Sequence, residues 1–269
     1  MNKSAQTLPF YYLFIPAFQN VQSVTAAVST RTGGVSCPPY QTLNLAYHVG
    51  DAPDAVTENR RRFCDALGVN LDSLVIAQQI HGDTIAVVDG SQAGRGAHSH
   101  EDAIPDTDGM ITTSRSVALG VLTADCVPVM IFDPIAGAVG VAHAGWRGAL
   151  SRIAAKAVLR MRDAFGTKPA DCMIALGPFI GSCCYEVGED VIAQFRHEFG
   201  PEPCVGENRL DLRRAVEIQL IDAGIEKHNI SFVETGHTTS CTACNLDLLY
   251  SHRAENGCTG RMMSVIKLI

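Results

Sequence analysis

Apolar, β-branched runs bounded by turn residues recur along the chain at Leu74–Ala77, Thr84–Asp89, Val117–Leu122, Val127–Phe132, Ala138–His143, Met173–Leu176 and Ile230–Glu234. Runs of this length predict strands, several of them apolar on both faces and therefore buried on both. A helical spacing replaces them at Leu150, Ile153, Ala154, Ala157, Val158, Met161 and Phe165, closed by Gly166. It returns at Val187, Val191, Ile192, Phe195 and Phe199, closed by Gly200. Both stretches predict amphipathic helices with glycine stops, and shorter helices are expected at Val56–Leu67 and Leu212–Ala223. Strands and helices alternate without a regular βαβ beat, and no Gly-rich turn carries a dinucleotide fingerprint or a phosphate-loop lysine. The pattern predicts an α/β (α+β) fold on mixed sheets rather than a doubly wound one. Gly90–Asp106, polar and rich in Gly and His, reads as one mobile surface loop. With no repeat and no linker long enough to divide it, the stretch 1–269 is expected to form one domain.

Composition narrows the class. A chain of 269 residues with 46% hydrophobic content can bury a sizeable core. The formal charge of -7 is spread along the chain, and no Lys/Arg stripe is present to displace phosphate counterions, so nucleic acid is not an expected partner. Met1–Phe18 has a single lysine and is broken by Pro9 and Pro16, which does not read as a signal peptide. No run approaches the ~18 apolar residues of a membrane span. The ten cysteines, several inside apolar runs and without an export signal, read as reduced thiols of a cytoplasmic protein. A monomer or weak homo-oligomer is expected.

Three short segments set metal-capable side chains beside glycine or at a strand edge: Gln79-Ile80-His81-Gly82, Ala124-Asp125-Cys126-Val127 and His143-Ala144-Gly145-Trp146-Arg147-Gly148. One thiolate and two neutral imidazoles suit zinc, and three protein ligands leave a fourth position for water or substrate. Taken singly, each has a plainer reading, as a structural histidine or an inert buried thiol. Arg31, Arg60 and Arg147 could hold a phosphate or carboxylate through a bidentate guanidinium, or form ordinary salt bridges. Gly33-Gly34, beside Arg31 and Ser36, could expose amides as an anion nest. Asp125, next to Cys126, could accept a proton or orient a ligand histidine, and Asp108 could do the same one strand away. Cys241 and Cys244 have C-x-x-C spacing, which can hold zinc or cycle as a redox pair, but no second C-x-x-C or His pair completes a four-ligand site, so structural thiols are expected over a second metal. Cys183 and Cys184 are adjacent, their side chains diverge, and they read as packing residues lining a turn. His98 and His100 read as solvated loop residues.

Taken together, these segments resemble the YfiH-like family, also called the laccase-domain or peptidoglycan-editing-factor family and related to multifunctional purine nucleoside phosphorylases. The resemblance includes Ser29-Thr30-Arg31-Thr32-Gly33-Gly34-Val35-Ser36, Leu43-Asn44-Leu45, Asn59-Arg60, Thr107-Asp108-Gly109-Met110-Ile111-Thr112, Gly177-Pro178-Phe179-Ile180-Gly181 and Cys183-Cys184-Tyr185-Glu186-Val187-Gly188. It continues through Cys241-Thr242-Ala243-Cys244, Ser251-His252-Arg253 and Gly260-Arg261-Met262, with His252 and Asn256-Gly257-Cys258 departing from the family pattern.

The resemblance implies that His81, Cys126 and His143 hold a metal, zinc or alternatively copper. It implies phosphorolysis of adenosine, inosine, guanosine or methylthioadenosine, with adenosine deamination as a companion, so nucleoside and phosphate are the expected partners. Asp125, Arg60 and Arg147 are then the candidate catalytic residues, and Arg31, Gly34, Ser36, Asn44 and Gln79 the candidate substrate-binding ones. The ordinary deaminase signature, H-x-E with P-C-x-x-C, is absent. Two other activities are implied by the family's names: copper-dependent phenol oxidation, and a cysteine amidase or hydrolase with Cys126 as nucleophile and His143 as base. The fold implied is a four-layer α/β/β/α sandwich with mixed sheets, similar to bacterial toxin deamidase domains.

Overall fold

The fold is that of a computed structural model describing residues 12–233, 235 and 240–269. The first strands are β1 (Tyr12–Phe14) and β2 (Val24–Ser29), followed by helix α1 (Pro53–Leu67), β3 (Leu74–Ile76) and β4 (Ile85–Val87). Next come β5 (Gly109–Thr112), β6 (Ala118–Thr123), β7 (Val127–Asp133) and β8 (Ala138–Ala144), then helices α2 (Trp146–Leu150) and α3 (Ile153–Phe165). The chain closes with β9 (Met173–Leu176), α4 (Glu189–Phe199), the ribbon β10 (Cys204–Val205) and β11 (Arg209–Leu210), α5 (Leu212–Asp222), β12 (Ile230–Phe232) and β13 (Met262–Leu268).

One sheet has the order β1-β2-β13-β6-β3, the other β12-β9-β7-β8-β5-β4. Both are mixed: β3 runs parallel to β6, β4 to β5 and β12 to β9, while the remaining pairs in the two sheets are antiparallel. The double-sided burial expected of Val127–Phe132 and Ala138–His143 has a direct structural cause. Val129 and Ile131 of β7 and Ala138 and Ala142 of β8 face a helical layer containing Ala154, Ala157, Val158, Met161, Phe195 and Val216. Met130, Phe132, Val139 and Val141, one position out of step, meet Val28, Val75, Leu119, Val121 and Ile266 of the other sheet. On that sheet's far side Phe63 and Cys64 of α1 cover Leu74, Ile76, Ala118, Leu122, Met263 and Val265. The layers are therefore helix, sheet, sheet, helix, as the family resemblance implied.

Differences from the sequence reading have physical causes. The helical period from Leu150 to Phe165 is broken at Arg152, whose φ of 61° is left-handed and ends one helix before the next begins. Arg152 is held there by Glu198 and Asp222. β13, the middle strand of its sheet, lies outside the expected strands and is defined by pairing with β2 and β6. Glu234, the last residue of the expected strand from Ile230, lies outside the described residues, as do residues 1–11 of the Met1–Phe18 segment. Among the described residues no helix is long and apolar enough to cross a membrane.

Gly90–Asp106 is not a free surface loop. Its backbone pairs with the end of β3, where Ile76 N–H donates to Arg95 O and Ile104 N–H to Ile76 O. Arg60 anchors it from α1: its guanidinium is buried under the Tyr47 ring and donates to the carbonyls of Leu45, Gly96 and Ala97. Burial pushes its pKa down to about 10, which leaves it cationic at neutral pH. His98 pairs with Asp72, and His100 packs on His48.

Replacing Arg60 by Ala opens a void and strips three buried carbonyls of their donor. The expected loss is about 3 kcal/mol, a fall of roughly 6–12 °C in Tm, read by thermal and denaturant unfolding. An unchanged Tm would remove Arg60 as the anchor of this loop.

Candidate metal centre and cavity

The site forms where the chain leaves one sheet for the other. β6 ends at Thr123 in the first sheet, β7 begins at Val127 in the second, and Ala124-Asp125-Cys126 makes the crossing. Asp125 turns it with a φ of 94°. β7 and β8 are antiparallel with Pro128 opposite His143, so the start of one strand and the end of the other bring Cys126 and His143 together. His81 arrives from the turn after β3, also with a left-handed φ of 60°.

The ligand atoms of His81, Cys126 and His143 lie within 4.8 Å of one another. Cys126 Sγ is 4.0 Å from His81 Nε2, and the two imidazoles meet edge to face with centroids 4.7 Å apart. Gly145 lies against them: a Cβ there would sit 2.9 Å from His81 Cδ2 and 3.0 Å from Cys126 Sγ. The set is thus the borderline-soft, three-donor arrangement that zinc accepts with one position left open.

A single carboxylate orients both histidines. Asp108 Oδ1 accepts from His143 Nδ1 at 2.8 Å and from the His81 amide at 3.0 Å. Oδ2 accepts from the amides of Gly82 at 2.7 Å and Ile80 at 3.1 Å. With its Nδ1 proton given to Asp108, His143 keeps Nε2 for a metal. Burial opposes ionisation of Asp108, yet His143 and the Gly82 and Ile80 amides outweigh it and hold the carboxyl below its usual range. Burial likewise works against charge on Cys126 and His143. In Cys126 the two histidines prevail and bring the thiol down to about 6, while in His143 the partners Cys126 and Asp108 lift the imidazole to about 9.

The trio lines a cavity of about 410 Å³, within the usual size for small-molecule sites. Its walls include Trp146, Tyr185, His48 and His252 and three guanidiniums, Arg147, Arg253 and Arg261. Arg147 stacks on Trp146 and Arg253 on Tyr185. Burial, with Arg261 beside them, lowers both histidines, His48 to about 4. Burial also raises the Tyr185 phenol to about 12, so it stays protonated.

Of the residues singled out in the sequence, His81, Cys126, His143, Asp125, Arg147 and Gln79 reach this cavity. Asp125 reaches it with its carboxylate already engaged: Oδ1 accepts from Thr242 and Ser251, and Oδ2 from the Arg253 amide. Gln79 is at the wall but pairs both ends of its amide with the Leu122 backbone. Arg60, Arg31, Gly34, Ser36 and Asn44 are not brought there. Arg60 is the loop anchor described above. Arg31 is buried on Tyr250, bound to Glu255 and to the carbonyls of Leu246 and Leu249. Gly34 is required by packing, since a Cβ would fall 2.1 Å from Thr42 O, and the Gly34 and Val35 amides already donate to Thr42 Oγ1 and Asn59 Oδ1. Ser36 and Asn44 both donate to Asp51, and Asn44 Oδ1 accepts the Arg261 amide.

The wall residues not singled out as functional, His48, Trp146, Tyr185, His252 and Arg261, come from five separate stretches of chain. All but His48 lie inside the segments that carry the family resemblance, and the single tryptophan lies within the ligand segment His143–Gly148, which is the signal the sequence offers.

Residues 25–269 match the family model described as multi-copper polyphenol oxidoreductase laccase. A relative from Geobacillus stearothermophilus named purine nucleoside phosphorylase YlmD is 38% identical over 248 residues, 90% of this chain and 89% of that protein. A protein from an unknown prokaryotic organism named adenosine deaminase RL5 is 34% identical over 255 residues, 92% of this chain and 95% of that one. The crystal structure of YlmD from Geobacillus stearothermophilus superposes with a TM-score of 0.87 at 37% identity, covering 94% of this chain and 93% of that one. The match from β2 to the C-terminus, with the same fold at that identity, makes this chain a member of the YfiH-like, laccase-domain family, whose named relatives are enzymes.

Proposed function

We propose that the protein is a zinc-dependent purine nucleoside phosphorylase acting on adenosine, inosine, guanosine and methylthioadenosine, with adenosine deamination as a companion activity. The observation that carries this reading is the meeting, in one cavity, of the His81, Cys126, His143 set with a cationic wall and two aromatic side chains. Trp146 and Tyr185 suit the flat faces of a purine. Arg147, Arg253 and Arg261 suit a phosphate, which a guanidinium can grip with two parallel hydrogen bonds. The names of the relatives agree with both halves of the reading.

When bound by His81, Cys126 and His143, zinc would supply Lewis-acid polarisation and a water acidic enough to act near neutral pH. The protein's own groups account for the rest. Arg147, which makes no side-chain hydrogen bond among the described residues, is available to hold phosphate beside the anomeric carbon. In phosphorolysis a phosphate oxygen bonds to that carbon as the glycosidic bond breaks, and the departing purine takes the electron pair and needs a proton donor near its ring nitrogens. His252 Nδ1 lies 3.4 Å from Arg261 Nη2, and a guanidinium can only donate, so neutral His252 carries its proton on Nε2. Asp125, saturated by Thr242, Ser251 and the Arg253 amide, positions Cys126 and Arg253 rather than moving a proton.

A second reading draws on the Cys126, His143, Asp108 line, which is the order of nucleophile, base and orienting acid in a cysteine hydrolase. Copper in the same donor set, with phenol oxidation, is the reading the family description favours.

Zinc-loaded, copper-free protein incubated with adenosine, inosine and methylthioadenosine should release free base and ribose phosphate only when phosphate is present, and inosine from adenosine without it. Cys126→Ala should abolish both. No product from the wild type, or equal turnover by Cys126→Ala, would sink the proposal, and phenol oxidation by copper-loaded protein that shows no phosphorolysis in its zinc form would favour the oxidase. Arg147→Ala should raise the KM for phosphate about tenfold while leaving nucleoside KM within about twofold.

Asp108→Asn should weaken zinc binding about 10–100-fold in a competition titration, because the amide cannot accept from all four donors; wild-type affinity would refute the positioning role. Alkylation separates ligand from nucleophile: zinc should protect Cys126 from iodoacetamide, and labelling that zinc fails to suppress would favour the hydrolase.

A further inference from the structure

Four cysteines outside the cavity converge on one point. The sulfurs of Cys183, Cys184, Cys241 and Cys244 all lie within 4.8 Å of one another, and none is in a disulfide. Cys244 Sγ is 3.7 Å from Cys183 Sγ and 3.4 Å from Cys184 Sγ. A tetrahedral zinc with Zn–S bonds of about 2.3 Å sets its sulfurs about 3.8 Å apart, so these spacings are those of a tetrathiolate. A disulfide needs about 2.05 Å. Adjacency predicts that the side chains of Cys183 and Cys184 diverge. They sit instead on a turn that aims both sulfurs at the C-x-x-C pair, whose own turn is the 3-10 segment Thr242–Cys244.

The backbone around them is built for close approach. Phe179 and Cys241 form a parallel bridge, and Thr242 N–H donates to Phe179 O at 3.0 Å. Gly181 N–H donates to Cys241 Sγ at 3.2 Å, the contact that stabilises a thiolate. A Cβ on Gly181 would lie 3.2 Å from Cys183 Sγ and 3.3 Å from Cys241 Cβ, so a larger residue would push the loops apart. Thiols are weak donors and weak acceptors. Four of them in mutual contact gain little from one another, and a soft divalent cation is what would hold them together.

We propose that Cys183, Cys184, Cys241 and Cys244 form a second metal site, a structural tetrathiolate for one zinc ion that clamps the 179–185 loop to the 241–245 loop. Each thiol gives up its proton on binding, and no position is left open for substrate. The clamp bears on the cavity through Asp125. Ile180 N–H, on one loop, donates to Asp125 O at 2.8 Å, and the Thr242 hydroxyl, on the other, donates to the Asp125 carboxylate. Tyr185 of the cavity wall follows Cys184 directly. The site stands whichever reaction the cavity performs.

Protein purified under reducing conditions with zinc should contain about two metal ions per chain by elemental analysis. The double variant His81→Ala/His143→Ala should keep about one, and after cobalt exchange show the intense thiolate-to-cobalt charge transfer of a four-sulfur tetrahedral site. Cys241→Ser/Cys244→Ser should also keep about one, without that spectrum. Because the cobalt spectrum is read in a variant with all four cysteines, it remains decisive if the serine variant fails to fold. A wild-type content of about one ion that vanishes in His81→Ala/His143→Ala would overturn the proposal. So would a reduced wild type whose four cysteines all alkylate freely in the presence of zinc, or a native mass lighter by two hydrogens that marks a disulfide.

Discussion

Asp108, buried behind His81 and His143, accepts four hydrogen bonds: one from the His143 ring and three from consecutive amides of the turn that carries His81. Those amides fix a backbone that a histidine would not adopt unaided, since His81 has a positive φ. The same carboxylate fixes which nitrogen of His143 faces Cys126. A geometry assembled from three distant segments thus rests on one ionised group. Asp108 itself is held by β5, whose Gly109 lets Ile85 of the neighbouring strand approach to where a Cβ would stand.

A second carboxylate organises the opposite wall. Asp125 gathers the hydroxyls of Thr242 and Ser251 and the amide of Arg253, fastening the C-terminal segment over the crossing between the sheets. The early motif residues extend this scaffold. Arg31 ties Glu255, which in turn accepts from the Ser251 amide and the Thr259 hydroxyl. Asn44 holds the amide of Arg261. Arg31 and Asn44 therefore bear on the cavity through the arm that carries Arg253 and Arg261. Electrostatically the result is a site with its anions turned inward and its guanidiniums facing the cavity, a field that favours an anionic co-substrate.

The sandwich places these parts at one end of the layer between the sheets. His143 follows Val139 and Val141 on the inter-sheet face of β8, two residues beyond the last apolar contact. The packing that buries β7 and β8 on both faces is thereby also what sets the direction of the His143 ring, and strand register and site geometry are one constraint.

Periodicity and composition by themselves determined the central strands, the helices that cover one sheet, and the absence of a dinucleotide or phosphate-loop motif. The local segments around His81, Cys126 and His143 marked metal-capable residues, and the family resemblance joined them into one set. Other matters were decided only by the tertiary structure. Arg60 and Arg31 look in sequence like anion binders, as Arg147 does. Burial and carbonyl partners make them structural, whereas Arg147 is at the cavity wall, and no local pattern encodes that difference. Cys183 and Cys184 are uninformative beside each other and become half of a four-sulfur cluster only when a chain segment some sixty residues away folds against them. Local sequence specifies the donor types and the elements that carry them. Which donors converge depends on sheet order and on loops meeting across long separations, because hydrogen bonds and metal ligation act over a few ångströms of space and are indifferent to distance along the chain.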